Sequence, residues 1–380
     1  MLHERERCID FCVTQRYMLV TDGKSGPPHG RTFFLRLSAS LRQFPNSTFL
    51  KQRTNGGLYY AGNNMSVFGT VIRNEEIADF MRLLNLAREI FKQELTVVEI
   101  MPGGLTNKNF RAVTEDGTQI AIRLAGQGTA NYINRPGEKH NAGEIAGLGI
   151  APEIYYYDPK TGSQIVEYID APTMHPVDFQ TRDEVLVKAG AVMRRYHDSG
   201  LEFKTSFDPV AKIDEYKAIL DEHSYGKRYE GWERMVEALE RIRAAYAKQP
   251  PRRVPCHNDA LAENFMLQGE QMRVIDWEYG GMNDGYYDIA CVCVENPLDA
   301  RCEDVFFRAY CGGEPSEEAK ARLLINKFLV TSHWSTWSLV QICYGKDAEF
   351  YWEYGRTRAV QACSFLDDPS FSRSLTLLGG

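Results

Sequence analysis

The chain has no apolar run long enough to cross a bilayer, which argues against a membrane-spanning protein. It has no basic surplus: 44 Lys plus Arg stand against 51 Asp plus Glu, a net charge of −7. Nothing in that balance points to nucleic acid, which favours a basic face. It has no C-x-x-C pair, and its nine cysteines are scattered; the nearest two, Cys291 and Cys293, sit in an apolar run. That pattern reads as buried free thiols in a reducing compartment, not as a disulfide framework. There is no internal repeat and no low-complexity tract. Gly-Lys-Ser at 23–25 has the ending of a P-loop, but the earlier glycine is missing and Met18 stands in its place. The opening "MLHERERCIDFCV" carries charge but no long apolar h-region, so no secretory signal is expected and cytoplasm is the expected compartment.

What the chain does have is ordinary globular composition, 43 % hydrophobic and 25 % charged, over 380 residues, enough for two lobes. Residues 1–73 are rich in Gly, Pro, Ser, Asn and Arg without a sustained period, and are expected to be a poorly ordered extension, with Met65 a candidate start. From Asn74 the pattern changes. "NEEIADFMRLLNLAREIFKQ" puts Ile77, Phe80, Met81, Leu84 and Ala87 on one helical face. Short strand-like runs follow: "TVVEIM", "NFRAVT" and "TQIAIRLA", the last two joined by a hairpin at Glu115-Asp116-Gly117. A helix over about 136–148 and two further strands, "APEIYYYD" and "SQIVEYI", complete a small sheet lobe, 74–170. The segment 171–370 reads as mainly helical, with helices over about 181–199, 210–222, 229–248, 299–310, 315–345 and 347–364.

The helical pattern is interrupted once, by "VPCHNDALAENFMLQGEQMRVIDWEYGG". Here His257, Asp259 and Asn264 have the spacing H-x-D-x-x-x-x-N of the protein-kinase catalytic loop, and an apolar-apolar-Asp strand brings Asp276 a dozen residues later. Phosphoryl transfer needs a carboxylate at the acceptor hydroxyl, the place for Asp259. It also needs oxygen ligands for Mg²⁺, a hard cation, which Asn264 and Asp276 would supply. His257 is expected to bond the loop backbone.

The same residues carry a resemblance. "HNDALAENF" and "VIDWEYGGMNDGYYDIA", with "GGLTNKNF", "IAIRLAGQGT", "INRPGEKHN" and "LGIAPEIYYYDPKTG" before them, resemble the choline/ethanolamine kinase family over residues 76–366. The resemblance implies an α+β, bilobal protein-kinase-like fold with a small antiparallel-sheet N-lobe and a larger, mainly helical C-lobe. It implies ATP and Mg²⁺ as cofactors, with Asp259 as base and Asn264 and Asp276 on the metal. Gly103, Gly104, Thr106, Asn107 and Asn109 would lie over the ATP phosphates. Arg123 would stand where protein kinases place a lysine, with Glu138 as its ion-pair partner. Without the G-x-G-x-x-G of protein kinases, the phosphate loop must rely on backbone N–H groups. The hinge between lobes is expected near Glu167–Ala171, and Asp288 is expected to support the catalytic loop.

By the same resemblance Glu278, Glu295, Trp334, Trp337 and Tyr354 line the acceptor site. Choline's quaternary ammonium has no N–H to donate, so ring faces and nearby carboxylates must hold it. From spacing alone, a tryptophan pair three apart on a helix is more often core than cage. The reading is an ATP-dependent kinase of a choline-like amino alcohol, a small-molecule partner, with no nucleic-acid or membrane partner. Ethanolamine, thiamine or an aminoglycoside is the alternative acceptor. An inactive kinase-like nucleotide-binding module is the alternative of another class, against which the intact Asp259, Asn264 and Asp276 argue. The sequence leaves the oligomeric state open.

Overall fold

The computed structural model describes residues 59–61, 64–67, 70–101, 107–125 and 134–379, all within one compact unit. The first strands, β1 (Tyr59–Ala61), β2 (Asn64–Val67) and β3 (Thr70–Arg73), pair antiparallel in that order. They fall inside the stretch 1–73 expected to be an N-terminal extension; 1–58 lie outside the described residues. Strands this short cannot display a period of two, so the sequence does not announce them.

β3 runs directly into α1 (Asn74–Phe91), which buries Phe80, Leu83, Leu84 and Ala87, with Ile77 and Met81 partly buried beside them. The small lobe's sheet is β4 (Leu95–Met101), β5 (Lys108–Thr114), β6 (Gln119–Leu124), β7 (Ile154–Tyr157) and β8 (Gln164–Glu167). Its order is β4-β5-β6-β8-β7, antiparallel throughout. Alternation sorts β5 and β6: Phe110, Ala112, Ile120, Ile122 and Leu124 join the core under α1. Arg123 and Asn109, opposite each other in the ladder, point to the other face, because successive strand residues alternate sides. The β5–β6 turn uses Gly117 at φ +91°, a conformation that suits glycine. α2 (Arg135–Gly147) interrupts the sheet after β6, and Asn134 caps it by accepting from the Gly137 N–H at 3.0 Å.

The chain leaves the small lobe at Glu167 and enters the helical one. This contains α3 (Pro176–Thr181), α4 (Asp183–His197), α5 (Pro209–Glu222), α6 (Trp232–Lys248), β9 (Arg253–Cys256), β10 (Phe265–Gln268), β11 (Gln271–Val274) and β12 (Gly281–Asp284). It closes with α7 (Gly285–Glu295), α8 (Ala300–Cys311), α9 (Glu317–Cys343), α10 (Ala348–Asp367) and α11 (Pro369–Leu377), the last running past the expected limit at 370. β9 pairs with β12 and β10 with β11, both antiparallel. α9 is the central post, packed on by α5, α7, α10 and α11. Two of its buried hydroxyls bond back within the helix: Thr336 Oγ1 donates to the Ser332 carbonyl at 2.8 Å and Ser338 Oγ to the Ser335 carbonyl at 2.6 Å.

The lobes are stitched along one seam. Arg273 of β11 donates to Glu167 at 2.6 Å and to the Ala151 carbonyl at 2.9 Å, and the Val274 N–H donates to the Ile150 carbonyl at 2.7 Å. Asn141 of α2 donates to the Gly280 carbonyl at 2.9 Å. No helix among the described residues is long and apolar enough to cross a membrane, and the seven described cysteines are all free.

Candidate active site

The 257–264 loop hangs from β9, and its shape is imposed by one buried carboxylate. Asp288, in the first turn of α7, accepts the His257 and Asn258 backbone N–H groups, each at 2.7 Å, and the Tyr196 hydroxyl at 2.8 Å. Burial would push its carboxyl up, but His197, His257 and these donors bring it below the usual carboxylate value. Asn258 sits at φ +66° and donates its amide to the Tyr279 carbonyl at 2.9 Å. His257 bonds the backbone on both sides of the loop: Nε2 donates to the Ile275 carbonyl at 2.8 Å, and Nδ1 accepts from the Asp259 N–H at 3.3 Å. His197, Cys256 and Asp288 form a buried cluster with ligand atoms within 4.8 Å of one another. The acceptor capacity of Asp288 is already taken by the loop, so this cluster braces the loop rather than holding an ion.

Asp259 is thereby presented with its backbone fully engaged. Its carbonyl accepts the Asn264 side-chain amide at 2.8 Å and the Leu261 N–H at 2.9 Å. Among the described residues no side chain donates to its carboxylate. Burial, then the charges of Asp276, Glu295 and Glu278, raise its carboxyl well above the ordinary value.

Asp276 follows β11 at φ +64°, ψ +59°, a left-handed conformation that costs a non-glycine residue on the order of 1–2 kcal/mol. It heads the single turn Trp277–Tyr279. Arg123 reaches down from β6 and donates to Asp276 Oδ1 at 3.0 Å and to Glu138 Oε1 at 2.6 Å. Glu138 is 2 % exposed and also accepts from Arg135 at 2.6 Å, Tyr157 at 2.5 Å and Gln164 at 3.1 Å. The Arg123–Glu138 pair is therefore buried and networked, unlike an exposed pair of small consequence. Burial works against the charge of Arg123, but Asp276, Glu138 and Glu278 hold it protonated.

Glu278 lies between these groups, 3.9 Å from both Arg123 and Arg135. Burial and then Asp276 push its carboxyl up to about 7, against the pull of Arg123. Its Oε2 is buried with no hydrogen-bond partner among the described residues. A crowd of carboxylates with an unsatisfied oxygen fits a hard divalent cation. No imidazole competes, since both His257 nitrogens are spent.

The structure brings rings together from three elements. Trp334 and Trp337 of α9 lie 5.4 Å apart, and Trp337 is 6.2 Å from Tyr354 of α10. Two rings belong with them that the sequence reading did not name: Tyr351, 5.6 Å from Trp337, and Tyr279, 6.1 Å from Trp334. Tyr351 is three before Tyr354, so helical spacing was a usable signal; Tyr279 offered none. Glu295, expected to supply negative charge near the rings, is paired with Arg358 through Nε at 3.1 Å and through Nη2. Gly103, Gly104 and Thr106 lie outside the described residues; Asn107 is buried, and Asn109 stands beside Arg123 on the sheet. Glu295 and Asp288 sit on α7, a helix absent from the sequence reading because its residues are buried on nearly every side and show no amphipathic period.

The profile of the phosphotransferase enzyme family matches residues 97–324, more than half of the chain. A choline/ethanolamine kinase family protein of solved structure from Mesorhizobium loti is 34 % identical, with a TM-score of 0.66, covering 74 % of this chain and 92 % of that one. Choline kinase LicA from Streptococcus pneumoniae, also of solved structure, is 26 % identical with a TM-score of 0.63, covering 75 % of this chain and 99 % of that one. Ethanolamine kinase 2 of Mus musculus is 23 % identical over 302 residues, 72 % of this chain and 77 % of that protein. With the two-lobed fold in place, the chain belongs to the choline/ethanolamine kinase family, phosphotransferases of protein-kinase-like fold that act on an alcohol group.

Proposed function

We propose that the chain transfers a phosphoryl group from ATP to the hydroxyl of choline, giving phosphocholine and ADP. On this reading Asp259 orients the hydroxyl and takes its proton. Asn264 and Asp276 would hold Mg²⁺, which would offset charge on the phosphates. Arg123, kept in place by Glu138, clamps phosphate with its planar fork, and the segment from Gly103 to Asn109 covers the phosphates. Glu278 stands beside Arg123 and Arg135.

The observation that carries the choice of acceptor is the series of rings Tyr279, Trp334, Trp337, Tyr351 and Tyr354, which begins three residues after Asp276. Ring faces suit a cation that has no N–H to donate. Ethanolamine is the second reading, favoured by the likeness to ethanolamine kinase 2. An aminoglycoside would want an acidic floor, and Glu295 is already paired with Arg358. The test is ATP consumption with Mg²⁺ across choline, ethanolamine, thiamine and kanamycin. Choline is expected to give the highest kcat/KM; a clear preference for any of the others overturns the assignment.

A further inference from the structure

Glu295 and Arg358 come from different helices, α7 and α10, and meet beside the rings. The guanidinium donates to both carboxylate oxygens of Glu295, and its Cζ lies 4.8 Å from the centre of the Tyr354 ring. The pair is largely enclosed, with side chains 15 % and 7 % exposed. A two-pronged bond of this kind is strong and directional. It leaves Glu295 with its charge compensated and an oxygen on each prong committed. Tyr354, pinned from one direction by the guanidinium, faces Trp337 at 6.2 Å. Primary and quaternary ammonium ions differ in what they want from such a site. A primary ammonium carries three N–H donors and gains most from a carboxylate with free acceptor capacity. A quaternary ammonium gains from ring faces and from charge, and cannot exploit that capacity.

We infer that Arg358 is a positioning residue that sets the preference of the acceptor site for a quaternary over a primary ammonium, by withholding the Glu295 carboxylate and fixing the Tyr354 ring. The inference rests on the amino-alcohol reading above. It is tested by steady-state kinetics of the full chain with choline and with ethanolamine, for the wild type, Arg358→Gln, Arg358→Lys and the double variant Arg358→Gln/Glu295→Gln. Arg358→Gln frees the carboxylate, so the choline-to-ethanolamine ratio of kcat/KM is expected to fall about tenfold, mostly through the two KM values, with KM for ATP unmoved. Arg358→Lys keeps the charge but not the fork, so its ratio should fall less. Should Arg358→Gln not fold, the lysine variant carries the test by the direction of its shift. In the double variant the freed carboxylate is gone and the ratio should climb back towards the wild-type value.

A ratio unchanged in the single variants, with both amines losing equally, would show Arg358 to be ordinary scaffold and would overturn the inference. A double variant as indiscriminate as Arg358→Gln would overturn the route through Glu295. Both results leave the amino-alcohol reading standing. Failure of the wild type to use either amine removes that reading and this inference with it.

Discussion

Asp259 has an unspent carboxylate held among four others, and its backbone is tied at both ends. Asp259→Asn removes the charge without disturbing those backbone bonds. The variant is expected to fold and to bind nucleotide as the wild type does, while kcat falls by about 10²–10⁴, the range for a positioned general base. A kcat above about a tenth of the wild-type value would remove Asp259 from that role. Asp276 allows a finer separation, because its side chain and its backbone make different demands. Asparagine tolerates the left-handed conformation at φ +64° and alanine does not. Asp276→Asn and Asp276→Ala should therefore both lose Mg·ATP binding, read by calorimetry, while keeping adenosine binding. Only the alanine variant should also lose thermal stability. Equal loss of adenosine and Mg·ATP in the asparagine variant would mean that the carboxylate serves structure, not metal. The residues in this loop are legible from the sequence because their spacing is local: six positions separate Asp259 from Asn264 inclusive, and a strand hairpin carries the chain to Asp276.

At the scale of elements, α9 and α10 decide whether the tryptophans are packing or pocket. Trp334 is 6 % exposed, whereas Trp337 is only partly buried and has Trp334, Tyr351 and Tyr354 around it. Trp337→Ala is expected to raise KM for choline about ten- to thirtyfold, the worth of one desolvated cation–π contact. KM for ethanolamine should rise much less, and KM for ATP should stay put. Equal losses for the two amines would identify Trp337 as core whose removal loosens the helical lobe. Unchanged choline kinetics would put the pocket elsewhere. The family resemblance brought Trp334, Trp337 and Tyr354 into view, and helical period from Tyr354 reaches Tyr351 and Arg358 as well, three before and four after it. It does not show that Arg358 meets Glu295, because period states which residues share a face and not what that face meets.

At the scale of the whole molecule, the five-stranded sheet and the described core clusters begin at Phe80 or later. A chain starting at Met65 would begin inside β2 and lose β1 with its ladder. It is nevertheless expected to express as folded protein and to turn over near the wild-type rate, since β4–β8 and the lobe seam at Glu167 and Arg273 remain complete. Thermal melting and kcat of the shortened chain check this. Loss of soluble protein or of activity would show that the preceding residues pack on the lobes.

The sequence by itself determined what is local: the alternation that buries Phe110 and Ile122 and turns Arg123 the other way, the hairpin at Gly117, and the reach from His257 to Asp276. These follow from the pleat, from turn stereochemistry and from short loop spacing. Only the tertiary structure decided that Arg123 meets Asp276, 153 residues away, that four donors converge on Glu138, that Asp288 holds the loop from within α7, and that Arg358 takes Glu295. The physical reason is that a backbone period fixes the direction in which a side chain leaves its own element. Which element waits on the other side is set by the packing of whole faces, and a helix buried all round, as α7 is, carries no period from which to read even that direction.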